Sequence, residues 1–205
     1  MKTGIERARE LVEKLGMEPH VEGGYFVEVY KSPKTVIAED GRKRRALTAI
    51  YYLLVKEDLE DLETLETREA GAEGVRGERR RDRRDNSRSK LHRVKSEELW
   101  FYCEGAPLEL LWVEGQEELK ELEKQEGREG KGEDAESREA KSRVRKTVIG
   151  RNSYFAVIPA GCWQAARTLG DYTLVSCVVA PGFTYEDFEL YSGNILKYPS
   201  LREFL

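Results

Sequence analysis

No apolar run in the 205-residue chain approaches the roughly 18–20 residues that cross a bilayer as a helix. The N-terminus, MKTGIERARELVEKLG, is charged and lacks the apolar core of a secretory signal. Cytoplasmic residence is therefore expected. Cysteine is scarce and odd in number: Cys103, Cys162 and Cys177, with no C-x-x-C pair. That argues against a disulfide frame and for buried free thiols. None has a positive neighbour in sequence to make it a nucleophile. Histidine is scarcer still, with only His20 and His92. A strong charge of one sign is also missing. The net charge of -4 gives no whole-protein pull toward nucleic acid or anionic membrane.

Aromatic residues are absent from two long stretches, 56–88 and 114–146. The first is acidic (EDLEDLETLE), then basic (RGERRRDRRDNSR). Such segments cannot bury enough apolar surface to offset their ordering entropy. Both read as charged, partly disordered insertions between strands. The Arg79–Arg84 cluster could touch nucleic acid or an import receptor. The preferred reading is a solvated loop whose basic half pairs with its acidic half, so a nucleic-acid partner is not expected. In the second stretch, EELKELEKQE has Glu–Lys pairs at helical spacing, interrupted by glycines at 127, 130 and 132.

What remains is one helix and many short strands. Thr3 and Glu6 form a capping-box pattern. Ile5, Ala8, Val12 and Leu15 follow on one face, and Gly16 ends the helix. Gly23-Gly24 permits a tight bend before a strand in which Tyr25 and Val27 share one face and Phe26 and Glu28 the other. Residues 33–45 are polar and read as a loop. Ala46–Val55 is a near-continuous apolar strand, buried on both faces. Further strands are expected at Leu91–Val94, Glu98–Cys103, Leu108–Val113, Thr147–Ile149, Tyr154–Ile158, Cys162–Thr168 and Tyr172–Ala180. Thr184–Tyr191 reads as a short helix or turn. The pattern predicts a single all-β domain over 1–205, a sandwich or barrel.

Two stretches carry the chemistry, Ser89–Gly105 (SKLHRVKSEELWFYCEG) and Ile158–Thr168 (IPAGCWQAART). With PHVEGGYFVEVYKS (19–32), TAIYYLL (48–54), GAPLEL (105–110) and VAPGFTYEDFEL (179–190), they resemble the cupin-five family of unknown function. That family is similar in fold to the dTDP-sugar 3,5-epimerases. The resemblance implies a double-stranded β-helix, the cupin jelly roll, commonly a homodimer. The chain has Val21 where the family usually has proline. In the register of the general cupin motifs, His92, Val94, Glu98 and Gly105 fill the first. Pro159, Gly161 and Gln164 fill the second. Two of the four usual metal-ligand positions are therefore not histidine.

These positions predict a small-molecule site. His92 is the expected base, oriented by Glu98, with a phenol from Tyr102, Tyr25 or Tyr51 on the opposite side. Tyr25, Glu28, Tyr51, Trp100 and Gln164 are the expected ligand contacts. His20, in a loop beside proline, is expected to be a surface or capping group. Trp163 should point away from Gln164, and Arg93 away from His92. The leading functional expectation is metal-independent epimerisation or isomerisation of a sugar or sugar nucleotide, without a cofactor. One alternative is a cupin that binds a small molecule without chemistry. The other is a metal-dependent oxygenase or isomerase holding a divalent transition metal with His92, Glu98 and Gln164.

Overall fold

The computed structural model describes residues 2–57, 59, 85–113 and 144–193. The Arg79–Arg84 cluster, the Glu–Lys run with its glycines, and the C-terminal tail lie outside the described residues. The chain opens with helix α1 (Gly4–Leu15). The Thr3 hydroxyl accepts the Glu6 N–H while the Glu6 carboxylate accepts the Thr3 N–H. Gly16 closes the helix in the left-handed conformation at φ 63°. No described helix is long and apolar enough to cross a membrane.

Two antiparallel sheets face each other as a jelly roll. The first contains β1 (Glu18–Pro19), β2 (Tyr25–Lys31), β5 (Thr48–Val55), β7 (Glu97–Gly105), β10 (Phe155–Ile158) and β12 (Tyr172–Ala180). Its spatial order is β1-β2-β5-β12-β7-β10. The second contains β6 (His92–Val94), β8 (Leu108–Val113), β9 (Val144–Ile149), β11 (Trp163–Thr168) and β13 (Phe188–Leu190). Its order is β13-β6-β11-β8-β9. A separate hairpin pairs β3 (Thr35–Ile37) with β4 (Lys43–Arg45).

Strand alternation decides what each face meets. Tyr52, Leu54, Trp100, Leu108, Leu110, Val175 and Cys177 point between the sheets and form the central core. On the outer face of the first sheet, Tyr25, Leu53, Val55 and Leu174 pack under Ala8 and Leu11 of α1. Strand β5 is therefore apolar at successive positions because it is covered on both sides. Outside the second sheet, Leu91, Leu111, Val113, Trp163 and Ala165 form a third cluster. Trp163 thus faces away from Gln164, and Arg93 turns outward to Glu189 and over the Trp163 ring.

Four expectations need correction. Residues 33–45 are not a loop; they build the β3–β4 hairpin. Its anchor is polar, which an apolar pattern cannot reveal: buried Arg44 holds Asp187 with two hydrogen bonds of 2.7 and 3.0 Å. Asp85–Arg88 belongs to the fold, not to an insertion. Asn86 is buried, accepts the Gly24 N–H on its side chain and accepts the Val55 N–H on its carbonyl. Strand β9 begins at Val144, so the charged residues Arg145 and Lys146 pair with β8. Cys103 is exposed, whereas Cys162 and Cys177 are buried.

The bend before β2 depends on glycine. Gly24 has φ 67°, and a Cβ there would lie 2.5 Å from the Leu53 carbonyl oxygen. This close approach returns the loop carrying His20 and Glu22 to the barrel wall.

Candidate functional site

A cavity of about 130 Å³ lies between the sheets. Its aromatic wall is Phe26, Tyr52, Trp100, Phe183 and Tyr185. Its polar groups are His20, Glu22, Glu28, Thr48, His92 and Glu98. Ile50, Val94, Cys177 and Val179 complete the lining. Strand β7 supplies Glu98 and Trp100 because residues two apart share a face.

Behind the cavity runs a buried polar chain. The Trp100 indole N–H donates to Gln164 Oε1 at 3.1 Å. Gln164 Nε2 donates to Glu98 Oε2 at 2.6 Å. An indole can only donate, so it fixes the orientation of the Gln164 amide. The Cys177 thiol also hydrogen-bonds Glu98. Even so, burial dominates, and it pushes the Glu98 carboxyl from its ordinary 4.5 up to about 7. Glu22 is pushed well above its ordinary range, first by burial and then by the nearby charge of Glu98.

The two histidines shift in the opposite direction to the carboxyls. Burial lowers both His20 and His92 to about 4, so both rings are neutral at pH 7. His92 Nδ1 lies 2.9 Å from the Lys90 carbonyl oxygen. A carbonyl only accepts, so Nδ1 carries the proton and Nε2 keeps the lone pair. Glu22 Oε2 is 3.3 Å from His92 Nδ1 and 3.8 Å from His20 Nδ1. With both rings neutral, neither contact is an ion pair.

The mouth is edged by the segment after β12. Phe183, Tyr185 and Phe188 make mutual edge-to-face contacts, and Phe188 also meets the His92 ring. The Phe183 N–H donates to the Thr48 hydroxyl. Asp187 ties this segment to Arg42 and Arg44 of the hairpin region. Those hydrogen bonds hold its carboxyl down at about 2.

The structure brings Glu28, His92, Glu98 and Trp100 together around the cavity, with Gln164 directly behind. Three expected phenols are elsewhere. Tyr25 and Tyr51 point to the helix side of the first sheet, because they have the wrong strand parity. Their neighbour Tyr52 is the cavity phenol, and its hydroxyl donates to the Gly23 carbonyl at 2.8 Å. Tyr102 has the right parity but sits roughly 13 Å along the strand from Glu98. Its hydroxyl donates to the Gly105 carbonyl, and it lines a separate cavity of about 230 Å³.

Sequence reasoning missed His20, Glu22, Tyr52, Cys177, Phe183 and Tyr185. Tyr52 pairs with Phe26 across β2 and β5, a register that the continuous apolar run of β5 does not reveal. Nothing local to His20 signals burial; the Gly23-Gly24 bend does that at a distance.

The residues do not suit the metal that many cupins hold. Val94 has no donor atom. Gln164 presents an N–H to the Glu98 side, and its oxygen is engaged by Trp100. His92, with Nδ1–H on the Lys90 carbonyl and the lone pair on Nε2, is oriented as a ligand could be, but Val94 and Gln164 give it no partners. Among the described residues, no three His, Cys, Asp or Glu side chains are arranged to hold a metal ion.

Comparison with known proteins agrees with this architecture. The family model described as Cupin superfamily (DUF985) matches residues 9–70 and 83–191. The chain belongs to that family. A hypothetical protein from Leishmania major is similar in structure, with 28% identity and a TM-score of 0.59, over 90% of this chain and 86% of that one. An X-ray structure of a Shewanella oneidensis protein has 22% identity and a TM-score of 0.57, over 90% of this chain and 84% of that one, and shows a shared fold. No curated protein matches the chain.

Proposed function

We propose that the protein binds a ring-sized small molecule in this cavity and moves a proton on it, with Glu98 as the proton carrier. The observation that carries this reading is the placement of a buried carboxyl, held by Gln164 and Cys177, against an aromatic-walled cavity. A carboxyl near 7 is half ionised at neutral pH, so it can both take and return a proton. His92 is the weaker base of the two, and its neutral ring is better suited to accept a hydrogen bond at Nε2. The role expected of His92 from sequence thus passes to Glu98.

Size sets the substrate class. A cavity of about 150 Å³ holds benzene, and this one is about 130 Å³. One sugar ring is near the upper limit. The phosphates of a sugar nucleotide would lie outside the cavity. Isomerisation of a hydroxycarbonyl then consists of breaking the C–H bond beside the carbonyl, its electron pair passing to the carbonyl oxygen as an enediolate and its proton to Glu98. Glu98 returns the proton to the former carbonyl carbon while the hydroxyl proton moves to the other oxygen. Return to the same carbon from the same side gives exchange without inversion.

The test is deuterium exchange. The protein is incubated in D2O with small carbonyl compounds, with and without an amino group, and carbon-bound deuterium is read by NMR. Exchange is expected with the wild type, with a loss of about a hundredfold or more in Glu98→Gln. Equal rates in both would contradict the assignment. Binding without any exchange would favour the non-catalytic cupin instead.

A further inference from the structure

We propose that the ligand of this cavity is a small organic amine, bound as its ammonium ion between Glu98 and the aromatic wall. The proposal rests on the small-molecule reading above and narrows it by chemical class. Three features point the same way.

The first is the charge inventory. Two buried carboxyls, Glu22 and Glu98, line the cavity, Glu28 at its edge is paired with Lys31, and among the described lining residues there is no lysine or arginine. A phosphate or carboxylate ligand would find no cation among the described lining residues. Nearby basic groups are already engaged. Arg42 pairs with Asp40, Glu186 and Asp187, and Arg44 with Asp187. Lys90 donates to the Val21 carbonyl, and its charge reaches Glu22 only at a distance.

The second feature is the hydrogen-bond inventory, in which the oxygens of Glu22, Glu28 and Glu98 are the largest group of acceptors. The Tyr52 hydroxyl spends its proton on Gly23, leaving an acceptor. His92 spends Nδ1–H on Lys90, leaving Nε2 as an acceptor. The Gln164 amide spends an N–H on Glu98 and does not line the cavity. The donors left are the His20 ring, whose Nδ1 accepts the Glu22 N–H and so leaves Nε2–H, and the hydroxyls of Thr48, which accepts the Phe183 N–H, and of Tyr185 at the mouth. The cavity is therefore rich in acceptors, and a ligand rich in N–H donors satisfies it.

The third is the wall. Trp100, Tyr52 and Phe26 present ring surface, with Phe183 and Tyr185 at the mouth. The negatively polarised faces of aromatic rings attract a cation, most strongly when it is desolvated. An alkylammonium satisfies carboxylate, acceptors and rings together; a neutral alcohol satisfies only the acceptors.

The experiment uses three probes of one shape on the full chain: benzylammonium, benzyl alcohol and benzoate, titrated calorimetrically. Benzylammonium is expected to bind about tenfold or more tighter than benzyl alcohol, and benzoate more weakly than either. In Glu98→Gln the amine-to-alcohol ratio should fall toward one. At pH 6, amine binding should release up to about one proton as Glu98 ionises, seen as a dependence of the heat on buffer. Equal binding of amine and alcohol overturns this inference and leaves the small-molecule reading intact. Tightest binding by benzoate, or an unchanged ratio in Glu98→Gln, also overturns it. Failure of all three probes to bind overturns both readings.

Discussion

Glu98→Gln is expected to stabilise the protein at pH 8 and to leave its stability nearly unchanged at pH 4. Glutamine keeps the shape and can still accept the Gln164 N–H, but it cannot ionise. The native Glu98 carboxyl sits at about 7, against 4.5 in the unfolded chain. Between those values the native state holds more protons than the unfolded state. Stability from this group is therefore complete below pH 4.5 and is lost as pH rises through 7. The gap corresponds to something on the order of 3 kcal/mol at pH 8. His20 and His92 work in the other direction. Their native values near 4 lie below the unfolded 6.5, so their stability is present above 6.5 and is lost as pH falls through 4. In urea unfolding of wild type and Glu98→Gln from pH 4 to pH 8 the histidine contributions cancel in the difference, which leaves Glu98 together with its coupling to Glu22. A difference that stays flat with pH would mean that Glu98 is not desolvated.

Trp100→Ala is the second large expected effect. The indole is 1% exposed and sits in the centre of the core, edge-on to Tyr52. Truncation should cost about 3–5 kcal/mol through lost burial and the cavity left behind. It also removes the donor that fixes Gln164, so part of the loss is polar. Trp100→Phe separates the two terms. It fills most of the volume but leaves Gln164 Oε1 without a partner, which costs about 1–3 kcal/mol. Chemical denaturation measures both variants. If Trp100→Phe is neutral, the Trp100–Gln164–Glu98 chain does not hold the site.

Much of the fold was legible because alternation is a strong signal where one face is buried. In β7, Glu98, Trp100 and Tyr102 were placed on one face from spacing alone, and that face does look inward. The same rule failed in β5, where both faces are covered. With Leu53 and Val55 under α1 and Tyr52 and Leu54 in the barrel, the apolar run carries no parity, so Tyr51 and Tyr52 could not be told apart. The β3–β4 hairpin was missed for a different reason. Its anchor is the Arg44–Asp187 pair, separated by 143 residues, and no local pattern announces a contact of that range. His20 and Glu22 were hidden in the same way. They reach the cavity because Gly24 lets the backbone press against β5. Gln164, by contrast, was recognisable from its motif register, although it hydrogen-bonds Glu98 from behind the cavity and is not part of the lining.

The most direct test of the site is the titration of the Glu98 carboxyl carbon by NMR, assigned by its absence in Glu98→Gln. A midpoint near 7 in the free protein, shifting downward when benzylammonium is added, is the expected result. A midpoint near the ordinary 4.5 would contradict it, because a carboxylate already ionised in an open, hydrated site could neither carry the proton nor account for the acceptor-rich cavity around it.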